Sequence, residues 1–241
     1  MSVIMVRNSH GVTPPAKLTS YSSSFPNTEN PFIDGGKFFH PASASWAYTM
    51  QSVAGRGIFI GDTAASGFND AVAFANPSVF SNTRRTQSVT LTSFVGGAFD
   101  AATELEIHLL STETSSTTLN TYEVDLSVGG SGLSSVQKWH GAQGTFTPVT
   151  NTGGNANGAF DTAFANGQTW VIAVSDVNGD GSLYVFTIRQ NGVLILQAQD
   201  DTTANIGGVA PFLTGTWGFG ADNCSSGPTN VGWSDVAWTS S

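Results

Sequence analysis

The sequence predicts an all-β protein, a two-sheet antiparallel jelly-roll sandwich. The strongest evidence is a set of three β-rich runs within residues 170–199, which two turn signals separate. Asn191-Gly192 is the dipeptide that a two-residue type I′ hairpin turn requires, because both of its central residues have φ > 0. Elsewhere polar and apolar residues alternate with period two, and no long stretch has helical periodicity. Many short strands with one solvent-exposed face bury their other faces by packing as two sheets.

The predicted strands follow one another through residues 21–241, which we expect to form a single sandwich domain. Runs of Gly, Ser, Thr and Asn fall between the strands and indicate turns and loops. Strands are predicted at 21–25, 89–93, 104–110, 121–128, 170–175, 183–190, 193–199 and 231–239, with a polar loop at 176–181. We expect the last of these to lie beside the first.

Residues 1–20 differ from the rest and are predicted to form an extended N-terminal arm. They have no periodicity, and Pro14 and Pro15 block pairing in a β-ladder. Two interpretations stay open, a disordered terminus and a strap that docks on a neighbouring subunit.

Composition excludes several classes of function. Charged residues make up 10% of the 241 residues, well below the roughly 25% of ordinary soluble domains. The net charge of −9 argues against nucleic acid as a partner, since binding it needs a basic face. The single cysteine, Cys224, cannot form an internal disulfide. No segment is apolar and long enough to cross a membrane, and the N-terminus lacks the apolar core of a Sec signal.

The order of several short motifs resembles a known superfamily. The motifs are Ser24-Phe25, Asn30-Pro31-Phe32, Gly35-Gly36, Trp46, 89–92, 122–124, 170–174, 183–193, Gly218-Phe219-Gly220 and 233–236. Over residues 21–239 this order resembles the concanavalin A-like lectin/glucanase superfamily, in particular LamG-like jelly rolls common in phage structural proteins and in carbohydrate-active modules. The resemblance implies the fold, whereas function stays open because the fold hosts lectins, hydrolases, lyases and inert decorations.

The candidate catalytic residues are Glu104, Glu106 and His108. Period-two spacing places both carboxylates and the imidazole on one face of a strand, with Leu105 and Ile107 facing the core. The run resembles the Glu-x-Asp-x-Glu strand of family 16 glucanases, whose first Glu is the nucleophile and whose last Glu is the acid/base. Glu104 matches the first position, but His108 replaces the acid/base, so the resemblance does not imply glycoside hydrolysis. The alternative is an ordinary strand with a solvated polar face.

The candidate carbohydrate-binding residues are Trp139, His140 and Tyr122. An exposed aromatic ring offers a flat apolar surface to the C–H groups of a sugar. The alternative is that Trp139 is buried between the sheets.

Asp176, Asn178 and Asp180 form a weak candidate calcium site. Their spacing matches the first half of the EF-hand loop, but Thr187 stands where the bidentate Glu belongs. A plain turn rich in Asp and Asn is the alternative. Apart from this weak possibility of Ca²⁺, we expect no cofactor.

The expected function is that of a non-enzymatic virion structural protein, a decoration, fibre or adhesin component with weak glycan binding. Alternatives are a polysaccharide-active hydrolase or lyase and a detached carbohydrate-binding module. Expected partners are other virion subunits and further copies of the chain, contacted through the N-terminal arm, together with a glycan. We expect synthesis in the cytoplasm without a Sec signal, and a final location in the virion or outside the cell.

Overall fold

The computed structural model describes residues 15–40, 48–53, 55–60, 71–99, 101–115, 118–142, 145–203, 205–222 and 231–241. Strands account for 57% of the structure and helix for 5%, which confirms the all-β prediction. The helical residues form short 3₁₀ turns at Asp34–Gly36, Ala156–Gly158 and Ile206–Gly208. None of the helices found in these ranges has the length and apolar character needed to cross a membrane.

Sixteen strands are present in these ranges. They are β1 Ser20–Ser23, β2 Phe38–Phe39, β3 Tyr48–Ser52, β4 Gly57–Ile60, β5 Ala71–Ala75, β6 Gln87–Val95, β7 Glu104–Ser115, β8 Thr118–Ser127, β9 Leu133–Ala142, β10 Phe146–Pro148, β11 Thr150–Gly154, β12 Thr169–Asp176, β13 Leu183–Gln190, β14 Val193–Asp201, β15 Thr216–Asp222 and β16 Val231–Ser240.

The strands form a hydrogen-bonded path that folds over into two antiparallel layers. The front sheet has the order β10-β9-β8-β7-β15-β5, and the back sheet has the order β16-β6-β12-β13-β14-β11. The β3–β4 hairpin joins the two, because β3 pairs with β5 in parallel and β4 pairs with β16. Strand β1 pairs with β16, as predicted for the first and last strands.

The core lies between the sheets and is strongly aromatic. The Trp217 and Trp238 rings stack across the layers, with centroids 5.7 Å apart and planes 9° apart. Leu105 and Ile107 of β7 are fully buried in this core, as the period-two pattern predicts. The opposite face of β7 therefore points away from the core, and this face carries the polar side chains of the site below.

The predicted type I′ turn is present between β13 and β14. Asn191 has φ 50° and Gly192 has φ 86°, so both central residues have the required positive φ. Asn191 also ties the turn to β12, since its backbone N–H donates to the carbonyl of Thr169 at 2.7 Å.

Part of the predicted N-terminal arm is described. Residues 15–20 are exposed, and Leu18 makes a parallel bridge to Phe80 before the chain enters β1. Residues 1–14, Trp46 and Cys224 lie outside the described residues. The role of the arm as a strap between subunits therefore stays a prediction.

Candidate functional site

An acidic cleft lies on the outer face of the front sheet. Its volume is about 100 Å³, and it is lined by five carboxyl groups, one amide and two aromatic rings. The lining residues are Glu104, Glu106, Glu123, Asp125, Gln137, Trp139, Phe146 and Asp222.

Strand register explains why the carboxyl groups converge. Glu106 of β7 stands opposite Asp125 of β8, and Glu104 of β7 stands opposite Asp222 of β15. Residues directly opposite each other in an antiparallel pair point to the same face. The next β7–β8 pair on the same face is His108 with Glu123, so the polar face continues along both strands.

The sequence placed Glu104, Glu106 and His108 on one face, and the structure brings them together there. Their chemical role stays a prediction. Sequence reasoning missed Glu123 and Asp125, although their period-two spacing in β8 was a usable signal. It also missed Asp222, for which no local pattern exists because β15 is far from β7 in sequence.

Two carboxyl groups of the cleft hold their protons more tightly than usual. The pKa of Asp125 is raised to about 7, first by burial and then by the negative charges of Glu104 and Asp222. The Ser135 hydroxyl, which donates to Asp125 Oδ2 at 3.4 Å, opposes this shift. The pKa of Glu104 is also raised, first by burial and then by Asp222. Near neutral pH the cleft therefore offers a carboxylic O–H donor at Asp125.

His108 lies deeper than the other candidates. It is fully buried, with Nε2 3.5 Å from Glu106 Oε2 and its ring centroid 5.0 Å from that of Phe74. Burial lowers the pKa of His108 to about 3, so the ring is neutral at physiological pH. A buried neutral imidazole cannot supply the proton that the acid/base Glu supplies in the glucanase-like strand.

The aromatic wall of the cleft corrects the prediction for Trp139. Trp139 is only 3% exposed and packs with Val72, Phe74 and Leu119 in a second cluster on the outer face, so it neither lies between the sheets nor presents its ring to solvent. Phe146 of β10 stands opposite Trp139 in the β9–β10 pair and packs against it, with ring centroids 5.1 Å apart, and is itself 39% exposed. Phe146 therefore provides the accessible ring that was expected of Trp139.

The other two carbohydrate-binding candidates lie outside the cleft. Tyr122 is fully buried in the core, where its O–H donates to Asp200 Oδ2 at 2.5 Å. This corrects the expectation for Tyr122, since a ring between the sheets cannot touch a glycan. His140 follows Trp139 in β9 and so points to the opposite face, where its Nε2 lies 3.2 Å from Thr147 Oγ1.

A buried ion pair accompanies Tyr122 in the core. Lys138 Nζ lies 2.8 Å from Asp200 Oδ2, and both side chains are fully buried. Lys138 also donates to the Val209 carbonyl at 2.6 Å. The pair links β9 of the front sheet to β14 of the back sheet. Sequence reasoning did not find it, because a Lys in an alternating strand is ordinarily solvated.

The carboxylate of Asp176, in the calcium-like loop, is already bound by groups of the protein. Its Oδ1 accepts from the backbone N–H of Gly179 at 3.0 Å, and its Oδ2 accepts from that of Gly181 at 2.9 Å. The Arg85 guanidinium also lies 3.1 Å from Oδ2. These contacts are those of an Asp-stabilised turn, and they favour the plain-turn interpretation.

Asn178 and Asp180 of the same loop both contact Ser182. The Asn178 amide donates to the Ser182 hydroxyl at 2.8 Å, and Asp180 Oδ1 accepts from the Ser182 backbone N–H at 2.8 Å. Hydrogen bonding by the Ser182 side chain, and then by this backbone N–H, lowers the pKa of Asp180. The loop thus satisfies its own polar groups.

By sequence, neither a protein-family model nor a curated protein matches the chain. The similarity to solved structures is therefore one of shape.

The chain is similar to the lumenal domain of VIP36 in its Ca²⁺- and Man3GlcNAc-bound form, with a TM-score of 0.52 and 6% identity over 92% of this chain and 88% of that one. It is similar to a native glycosidic hydrolase with a TM-score of 0.51 and 10% identity, over 93% and 97% of the two chains. A CBM2 module of the evolved Dit from Lactobacillus casei BL23 phage J-1 has a TM-score of 0.46 and 12% identity, over 92% and 96%.

Of these neighbours, the two with TM-scores above 0.5 define the class of fold. The chain has the jelly-roll fold of concanavalin A-like proteins, which is the fold that its motifs predict. One of the two neighbours is a glycosidic hydrolase and the other was solved with Man3GlcNAc bound, so proteins of this shape include ones that cleave and ones that bind sugars. Identities near 10% show the fold alone, and the function must come from the residues of the cleft.

Proposed function

We propose that the protein binds a glycan in the acidic cleft and does not cleave it. The observation that carries this proposal is the presence of the exposed Phe146 ring beside five carboxyl groups. Sugar hydroxyls donate hydrogen bonds to carboxylates, and the C–H face of a sugar ring packs on an aromatic ring. Trp139 is the cross-strand partner of Phe146 and packs against its ring, so the apolar surface is held in place before a ligand arrives.

A second candidate, glycoside hydrolysis, is favoured by the titration of Asp125. Glycosidases use one carboxyl group of raised pKa as an acid and a second, ionised carboxylate as a nucleophile or base. Asp125 has a pKa of about 7 and feels the charge of Glu104. We rank this candidate second because its acid would come from β8, whereas the glucanase-like strand is β7 and has the buried His108 at the acid/base position.

For the biological setting we retain the proposal of a virion structural component. Its support is compositional, since a chain with only 10% charged residues relies on hydroxyl and amide groups at its surface. Assembly with other copies through the N-terminal arm belongs to the same proposal. Deleting residues 1–20 and measuring the particle mass in solution tests it, and unchanged assembly would remove the arm from the argument.

The binding proposal is tested with a glycan array and with pull-down on insoluble polysaccharides. Phe146→Ala should weaken binding at least tenfold, because it removes the exposed ring but none of the carboxyl groups. Val193→Ala is the matched control, since Val193 is 41% exposed on the β13–β14 hairpin, outside the residues that line the cleft. Equal binding by Phe146→Ala and the unaltered protein would refute the proposed site.

Hydrolysis is tested by reducing-sugar release from every polysaccharide that binds. We expect no release. Release that disappears in both Asp125→Asn and Glu104→Gln would establish the second candidate in place of the first.

A further inference from the structure

A mixed cluster of nitrogen and oxygen donors lies at the floor of the acidic cleft. Glu106, His108 and Glu123 each offer one ligand atom, and these atoms all lie within 4.8 Å of one another. Their exposed fractions are 3%, 0% and 6%. We propose that these three side chains bind one divalent transition-metal ion. This site does not depend on whether the cleft binds a glycan.

The imidazole of His108 supplies the first independent observation. Within the part of the chain that the structure describes, neither of its ring nitrogens has a hydrogen-bond partner. Leaving a buried polar group unsatisfied costs free energy, and nearly all such groups in folded proteins have a partner. A metal ion bound to one ring nitrogen would provide that partner, because a neutral imidazole is among the commonest metal ligands.

The spacing of the donor atoms fits a metal better than a hydrogen bond. His108 Nε2 lies 3.5 Å from Glu106 Oε2, at the outer limit for a hydrogen bond. Two ligands that each lie about 2.1 Å from a tetrahedral Zn²⁺ are separated by about 3.4 Å. The two side chains are therefore already placed as neighbouring ligands of one ion.

Gly220 leaves room for the cluster. It stands opposite Glu106 in the β15–β7 ladder, and a Cβ atom at this position would lie 2.7 Å from His108 Nε2 and still closer to Glu106 Oε2. Any side chain here would occupy the space in which these donors meet. The Phe74 ring packs against His108, while Glu106 and Glu123 border the cleft, so an ion would enter from the cleft.

The donor set indicates the kind of ion. Two carboxylates and one imidazole suit Zn²⁺ or Mn²⁺, whereas Ca²⁺ and Mg²⁺ prefer sites made of oxygen atoms only. Three protein ligands leave a further coordination position open, as in catalytic rather than structural zinc sites. The dication would also offset the repulsion between two carboxylates in a buried site.

The experiment begins with protein stripped by a chelator and dialysed. Zn²⁺ and Mn²⁺ are titrated separately by calorimetry, and the metal content after gel filtration is measured by mass spectrometry. We expect one ion per chain, a higher melting temperature, and visible Co²⁺ absorption bands when Co²⁺ is the probe. The proposal would be overturned if Zn²⁺, Mn²⁺ and Co²⁺ all fail to bind at micromolar concentration. It would also be overturned if Ca²⁺ binds as tightly as Zn²⁺.

Variants then locate the ion. Glu123→Gln and His108→Gln should each weaken Zn²⁺ binding at least tenfold and change the Co²⁺ spectrum. Asp180→Asn, in the calcium-like loop, and His140→Gln, outside the cleft, are the matched controls and should bind as the unaltered protein does. If His108→Gln fails to fold, Glu123→Gln carries the test alone, because its side chain keeps its shape and borders the cleft. Unchanged binding in Glu123→Gln, or loss of binding in Asp180→Asn, would overturn the proposal.

Discussion

Replacing Lys138 with Met should destabilise the protein severely. Lys138 and Asp200 are both fully buried, with Nζ 2.8 Å from Oδ2. Met has nearly the length of Lys, so the substitution removes the charge while it keeps most of the volume. The carboxylate of Asp200 then stays in the core with the Tyr122 O–H as its described hydrogen-bond donor. Breaking a buried pair by removing one partner costs about 3–5 kcal/mol, a large part of the roughly 5–15 kcal/mol by which domains are stable.

The double variant Lys138→Met/Asp200→Leu separates the charge effect from packing. With both charges gone, no ion remains in the core, and replacing a whole buried pair by apolar residues is often neutral or stabilising. The Tyr122 O–H loses its acceptor, which costs about 1–3 kcal/mol. We therefore expect the double variant to be more stable than Lys138→Met alone.

Urea unfolding at pH 7, followed by Trp fluorescence, measures all three variants of this double-mutant cycle, including Asp200→Leu. A loss of less than about 1 kcal/mol in Lys138→Met would show that the pair is solvated, because exposed pairs contribute only that much. If the double variant is less stable than Lys138→Met, then lost packing, and not the unpaired charge of Asp200, accounts for the loss of stability in Lys138→Met.

Three further predictions concern backbone, charge and packing. Asn191→Pro should lower the free energy of unfolding in urea by about 2 kcal/mol or more, since Pro cannot adopt φ > 0 and removes the N–H that donates to Thr169. Asn191→Gly should lower it much less, and equal losses of stability in the two variants would refute this prediction. Asp125→Asn, measured in EDTA, should be more stable than the unaltered protein at pH 8 by up to about 4 kcal/mol. The folded pKa of about 7 exceeds the unfolded value, so ionising Asp125 destabilises the unaltered protein increasingly as the pH rises from about 4 to 7. A difference in stability that does not shrink by pH 4 would contradict this prediction. Gly218→Ala should lower the melting temperature, because its Cβ would lie 2.7 Å from the Phe74 ring; an unchanged melting temperature would show that the ring moves aside freely.

The fold class could be predicted because it depends on local patterns. Period-two alternation placed Leu105 and Ile107 in the core and Glu104 and Glu106 on the outer face. The Asn191-Gly192 turn was also readable, because its chemistry is contained in two residues. Patterns of this kind need no knowledge of which strands pair.

The acidic cleft could be predicted only in part, because it depends on strand pairing. Asp222 reaches Glu104 because β15 inserts between β7 and β5, a neighbour relation that neither strand encodes alone. Tyr122 is a different case, since its burial was readable from the sequence. Glu123 and Asp125 point outward in β8, so the residue between or beside them must point inward.

Period-two alternation could not predict that Trp139 is buried and that Phe146 provides the exposed ring. Alternation gives the face on which a side chain lies, but not whether a neighbouring strand covers it. Strand β10 has only three residues and no periodic pattern, yet it places Phe146 directly opposite Trp139, where the two rings pack together. Burial on an outer face is therefore decided by the edge strand.

The position of β15 has a consequence for the order of folding. Strands β7, β8 and β9 pair with their nearest neighbours in sequence, and so do β12, β13 and β14. Such local hairpins close short loops and form quickly, whereas pairing of β15 with β7 must wait for a much longer loop to close. We expect these two meanders to form first and Gly220 to dock against Glu106 late. The floor of the cleft would then be completed in one of the last steps of folding.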